Sequence, residues 1–342
     1  MSLKESLALL IVLASFTTSP GTSFRKAETF GEWSTPKNVG GPVNTDSNDT
    51  YAILSRDELT IYFTSDRPGG LGGDDLWFAT RESVESPWGQ PQNLNNVSRA
   101  PINTDTADSL AVLSSDEHVM FFHSTRTGGC GPAILTGDIW MTRRHDRRTQ
   151  EWETPTRLGC DPVGPNTGAT EIAPAFFENP ETGEVSLYYG SNRSPLTGFD
   201  VYKSPVGEDR YVGPGELVPE FSSPGRDTRI FIRRDGLEAF ITSDRTGGVG
   251  AIDIWTSTRE TLSDLWSTPV DLPSPVNTTA DDGSPWLSRD GTTLFFFSTR
   301  DGGYGKRDIW YTTRAKIDQE NSAHAMIARL WNQTRARLTG KS

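Results

Sequence analysis

Short apolar runs separated by polar, glycine-bearing gaps recur five times along the chain. The runs are Ile61-Tyr62-Phe63, Met120-Phe121-Phe122, Leu187-Tyr188-Tyr189, Ala239-Phe240-Ile241 and Leu294-Phe295-Phe296-Phe297. They are continuous rather than alternating, which predicts strands buried on both faces. A turn precedes each run: Asp57-Glu58, Asp116-Glu117, Asp235-Gly236 and Asp290-Gly291, with the longer Asn179-Pro180-Glu181-Thr182-Gly183 in the third copy. Each run closes on Ser-x-Arg (Ser65/Arg67, Ser124/Arg126, Ser191/Arg193, Ser243/Arg245, Ser298/Arg300). A loop, usually rich in glycine, follows, and then Asp-[Ile/Leu/Val]-[Trp/Tyr] (Asp75/Trp77, Asp138/Trp140, Asp200/Tyr202, Asp253/Trp255, Asp308/Trp310). Five copies at roughly 55–60 residues predict a repeat architecture.

A further element, Trp-x-x-Pro, follows the first four copies: Trp88/Pro91, Trp152/Pro155, the variant Tyr211/Pro214, and Trp266/Pro269. The fifth copy lacks it, and an unpaired Trp33/Pro36 stands near the N-terminus. The expectation is an all-β fold: a single five-bladed β-propeller of four-stranded blades, with the N-terminal segment as the outer strand of the last blade. Such closure removes the exposed edges of a linear array.

The ends read differently. Lys4, the apolar residues 7–16 and the small polar residues 17–23 read as a secretory signal, so 1–23 is assigned to a signal peptide and 24–315 to the propeller. The apolar run is too short to span a membrane. In the tail, 316–342, Ser322 as N-cap and the stripe Ala323, Met326, Ile327, Leu330, Trp331 predict a short amphipathic helix.

Composition narrows the function classes. The net charge of −12 argues against nucleic acid, which is held by basic patches. The four histidines show no ligand spacing, and the glycine loops lack the Lys-Ser/Thr of a phosphate loop, so neither metal nor cofactor is expected. Export implies an oxidising compartment, where the two cysteines can pair. Cys130 lies in the enlarged loop of repeat two and Cys160 in the connection leaving that repeat, on the same face, so a disulfide is expected.

An acidic residue begins each inner strand: Asp49, Asp108, Glu171, Asp227 and Asp282. It precedes the arginine of Ser-x-Arg by 18 residues in four repeats and by 22 in the third, whose turn is longer. Residues equidistant from a hairpin turn lie side by side. The spacing therefore sets these acids beside Arg67, Arg126, Arg193, Arg245 and Arg300. Each arginine is then expected to reach the aspartate of the Asp-[Ile/Leu/Val]-[Trp/Tyr] element.

The Ser-x-Asp-Gly, apolar run, Ser-x-Arg, Gly-Gly-x-Gly, Asp-[Ile/Leu]-Trp pattern resembles the TolB-type, WD-like β-propeller repeat of exported bacterial proteins, over about residues 33–315. The resemblance implies a propeller in the periplasm or secreted. Propellers host unrelated activities, so two functions stay open. One is a non-catalytic, monomeric scaffold binding a protein, peptide or glycan of the cell envelope, with the five acids and five arginines above as ligand-binding candidates. The other is a carbohydrate-active, glycoside hydrolase-like enzyme with carboxylates in the propeller funnel, which needs a pair with separated pKa values. For the scaffold, the expected docking face is that of the glycine loops and inter-blade connections around repeats two and three. There the repeat departs most from its pattern, at 128–137, 159–170 and 194–198.

Overall fold

A computed structural model describes residues 28–131, 136–194, 198–207 and 209–317. The signal peptide expected at 1–23 and the helix expected at 322–338 lie outside the described residues.

Five antiparallel four-stranded sheets form a ring. The innermost strands are Asp49–Leu54, Asp108–Leu113, Glu171–Glu178, Asp227–Ile232 and Asp282–Leu287. Outside them run Thr60–Ser65, Val119–Ser124, Val185–Ser191, Glu238–Ser243 and Thr293–Ser298, the apolar runs of the sequence. The third strands are Asp75–Thr80, Asp138–Arg143, Asp200–Val206, Asp253–Thr258 and Asp308–Thr313. Two-residue outer strands complete the blades, and that of blade five is Lys37–Asn38, paired with Tyr311 and Trp310. The N-terminal segment thus closes the ring as expected. A second pairing reinforces it: Thr29–Phe30 lies antiparallel to Lys316–Ile317, so the last two described residues belong to the closure.

The second strands are sealed because neighbouring blades pack on both of their faces; Ile61, Met120, Phe121, Phe122, Phe240 and Leu294 are all fully buried. Fully burying a large apolar side chain is worth about 1.5–3 kcal/mol, so these strands carry much of the ring's stability. The Trp-x-x-Pro tryptophans each carry an arginine from just beyond a third strand. Arg81 stacks on Trp88, Arg144 on Trp152 and Arg259 on Trp266, each at 4.3 Å, and Arg314 on Trp33 at 4.4 Å. These cation–π stacks pin the outer strand to its blade.

Polar clamps tie blade to blade. Asn103 accepts from the Leu76 amide and donates to its carbonyl, bridging the connection into blade two and the third strand of blade one. Asn166 on Ile139, Asn277 on Ile254 and Asn44 on Ile309 repeat the clamp. In blade three Ser222 takes the place and accepts from Val201.

Candidate functional site

The five inner-strand acids lie where the spacing set them, and the structure closes them off. Each pairs with the serine of Ser-x-Arg across the hairpin, Asp49 with Ser65 and Asp282 with Ser298 for example. Asp49 accepts from Arg67 Nη2 at 2.5 Å, Ser65 Oγ at 2.6 Å, and the Thr45 amide and hydroxyl at 2.6 and 2.8 Å. Asp108 with Arg126, Asp227 with Arg245 and Asp282 with Arg300 repeat the ion pair at 2.5–2.7 Å; Glu171 with Arg193 is longer at 3.3 Å. All five acids are 0 % exposed. Ser or Thr four residues before each acid supplies the local donors (Thr45, Thr104, Thr167, Ser223, Thr278). That repeated hydroxyl is a signal the spacing argument missed.

One expectation is corrected. The arginine does not extend to the second aspartate. Its guanidinium turns instead to a backbone carbonyl of the inter-blade connection: Val43, Ile102, Pro165, Phe221 or Val276. It also stacks on an aromatic of the second or third strand, as Arg67 does on Phe63 and Trp77. The second aspartate accepts from loop amides, Leu71 on Asp75, Cys130 on Asp138 and Gly250 on Asp253. The physical reason is geometry: a tight glycine loop points its N–H groups inward, and a carboxylate there satisfies them. In blade two, burial pushes the Asp138 carboxyl up to about 6, and Glu171 adds to the shift.

The groups facing open space belong to other positions. At the glycine-loop end of the central channel a cavity of about 160 Å³ is lined by Tyr51, Arg226, Arg229, Asp244, Ser284 and Arg307, among others. Three repeat positions converge there. The third residue of the inner strands contributes Tyr51, Leu110, Ala173, Arg229 and Ser284. Four of these take positive φ, from 52° to 60°, beside a bulge in the inner hairpin. Such strained backbone clusters at functional sites. In blade four the irregularity falls earlier, between Asp227 and Arg229. Of the residues before the third strands (Asp74, Gly137, Phe199, Ile252 and Arg307), Ile252 and Arg307 line the cavity, and Asp74 stands close enough to act on Arg307. The middle residue of Ser-x-Arg (Asp66, Thr125, Asn192, Asp244 or Thr299) accepts from the backbone amide just before an inner strand in every blade, and of these Asp244 lines the cavity.

Two groups near these positions have displaced protonation. Burial, and then the charge of Asp66, push the Asp74 carboxyl above the ordinary carboxylate range, against the pull of Arg307. Asp66 is exposed and accepts from the Asn48 amide at 2.8 Å and its side-chain nitrogen at 2.7 Å. His123, on the second strand of blade two, is pushed down to about 4 by burial. Its Nδ1 lies 3.3 Å from Ser109 Oγ, and a Cβ on Gly137 would sit 1.8 Å from its Nε2, so glycine is required there.

The opposite end of the channel opens into a cavity of about 940 Å³ bounded by the hairpin turns, with Arg56, Arg234 and Arg289 at its rim. On the glycine-loop face, Cys130 and Cys160 form the expected disulfide with Cα atoms 5.7 Å apart. Among the described residues no helix is long and apolar enough to cross a membrane.

No protein-family model matches the chain, so the TolB-type resemblance rests on the repeat motifs alone, and no curated protein matches it either. Solved structures do. An α-L-arabinofuranosidase from Lactobacillus brevis superposes with a TM-score of 0.52 at 12 % identity, over 81 % of this chain and 92 % of that one. A glycosyl hydrolase from Bacteroides ovatus gives 0.49 at 13 %, over 85 % and 97 %, and a GH43_1 enzyme from Xanthomonas citri 0.49 at 13 %, over 83 % and 90 %. At this identity the likeness to the arabinofuranosidase establishes a shared five-bladed propeller fold.

Proposed function

We propose that this chain is an exported, glycoside hydrolase-like propeller that handles carbohydrate at the glycine-loop end of its channel. The observation that carries the reading is the Asp74–Asp66 pair. Glycoside cleavage needs one carboxyl that keeps its proton and a second that is ionised. Asp74, raised by burial and by Asp66, suits the proton donor. Asp66, exposed and hydrogen-bonded to Asn48, suits the base. Asp74 would give its proton to the glycosidic oxygen as that bond breaks. Asp66 would take a proton from the water whose oxygen joins the anomeric carbon. Tyr51 offers a ring for the sugar face, and Ser284 and Asp244 offer polar partners for hydroxyls. The Lactobacillus brevis α-L-arabinofuranosidase, which shares the fold, supports this reading by fold alone. The inner-strand acids are assigned to holding the blades rather than to ligand. The Cys130–Cys160 disulfide fits a periplasmic or secreted location.

The test is hydrolysis of a panel of aryl glycosides and plant and bacterial polysaccharides by the wild type, Asp74→Asn and Asp66→Asn. Cleavage by the wild type that falls at least a hundredfold in both variants supports the pair. Wild-type rates in either variant remove that residue from the role. A wild type that neither cleaves nor binds any sugar ends the carbohydrate reading.

The non-catalytic scaffold keeps one observation in its favour. The disulfide ties a glycine loop of blade two to the following connection, and exposed Tyr211 sets its hydroxyl on the Val163 carbonyl, ordering that face. Glycan or protein binding without any cleavage would favour it.

A further inference from the structure

Arg229 is the anomaly of the ring. It stands on the inner strand of blade four, is 3 % exposed, and lines the channel cavity. Its Nε and Nη1 meet no hydrogen-bond partner among the described residues. The five arginines of Ser-x-Arg, by contrast, each hold a carboxylate. The group nearest in kind to a partner for Arg229 is the Tyr51 ring, 5.9 Å from the guanidinium carbon. Burial lowers the Arg229 pKa only to about 10, so the guanidinium stays charged at neutral pH. An uncompensated buried charge costs several kcal/mol, and a fold does not place one beside open space without consequence. Arg226 and Arg307 line the same cavity with the carboxylate Asp244, and Asp74 acts on Arg307 from beside it. Arg307 has a distant partner in Asp281, at 3.9 Å.

We infer that the channel cavity binds the carboxylate of an acidic sugar, with Arg229 as the group that meets the negative charge. A guanidinium presents paired N–H donors in the geometry a carboxylate accepts. The Nε and Nη1 donors are buried and unpartnered among the described residues, and Arg229 lines a cavity of about 160 Å³, room for several waters at about 30 Å³ each and hence for a carboxylate with part of its ring. Tyr51 beside it supplies a flat apolar face for the ring carbons. The inference rests on the carbohydrate reading above and names the substrate class within it.

Calorimetric titration at fixed ionic strength decides the matter, with digalacturonate, its dimethyl ester and neutral galactobiose as probes. The variants are Arg229→Met, which keeps the stem and removes the charge, and Arg229→Lys. Wild type should bind digalacturonate at least tenfold tighter than the ester. Arg229→Met should abolish that preference of acid over ester, and Arg229→Lys should restore part of it. Equal binding of acid and ester by the wild type, or a preference that survives in Arg229→Met, overturns the assignment. If galactobiose binds or is cleaved while the acid gains nothing, this inference alone fails; if no sugar binds, the carbohydrate reading falls with it.

Discussion

Two sets of arginines divide the molecule. Those of Ser-x-Arg recur in every blade, each sealed against a carboxylate that is 0 % exposed. Arg229 occurs once, is more deeply buried, and holds no carboxylate among the described residues. The same residue type in the same ring thus does opposite work. Where a position repeats, its chemistry is consumed in building the blade. Where it departs, as at Tyr51, Leu110, Ala173, Arg229 and Ser284, the side chains meet in the channel and their chemistry is left over.

The comparison breaks most sharply at the sealed pairs. Asp49→Ala leaves Arg67 buried without its anion, and removing one partner of a buried pair costs about 3–5 kcal/mol. Urea unfolding should show that loss, and a change under about 1 kcal/mol would mean the clusters are not structural. Next comes a departure that is structural. Replacing Cys130 and Cys160 by serine opens a closure of 30 residues, worth about 3–4 kcal/mol in the chain-entropy model. Differential scanning calorimetry of the double variant would measure it; an unchanged Tm would leave the disulfide without a stabilising role.

His123 sharpens the comparison by pH. Its folded-state pKa of about 4 lies below the ordinary 6.5, so the unfolded chain takes up the proton first. The stability tied to it is whole above pH 6.5 and is lost as pH falls through about 4, a change on the order of 3 kcal/mol. His123→Leu should flatten the slope of stability between those pH values whatever it does at pH 7. A wild-type slope retained in the variant would place the titration elsewhere. The smallest effect is expected at Arg229. Removing a charge that has no partner relieves its burial, so Arg229→Met should leave Tm at pH 7 unchanged or slightly raised. A fall comparable to that of Asp49→Ala would show that Arg229 is as structural as the paired arginines.

Much of the fold was legible in the chain itself. Continuous apolar runs, hairpin turns and the displaced Trp33-x-x-Pro36 determined five four-stranded blades and their N-terminal closure, because strand burial and turn chemistry are local and recur. The acid–arginine pairing was legible too, although the register sets each acid opposite the serine two residues before the arginine, whose side chain then reaches the carboxylate. The role of the second aspartate was not, because loop amides outcompete a distant guanidinium only once the loop's path is known. Nor was the channel. Arg229 and Arg307 lie far from Asp66 and Asp74 in sequence, and each looks like an ordinary variation within its own repeat. Only ring closure brings those variations to one axis, and only burial there makes the charge of Arg229 and the proton of Asp74 matter.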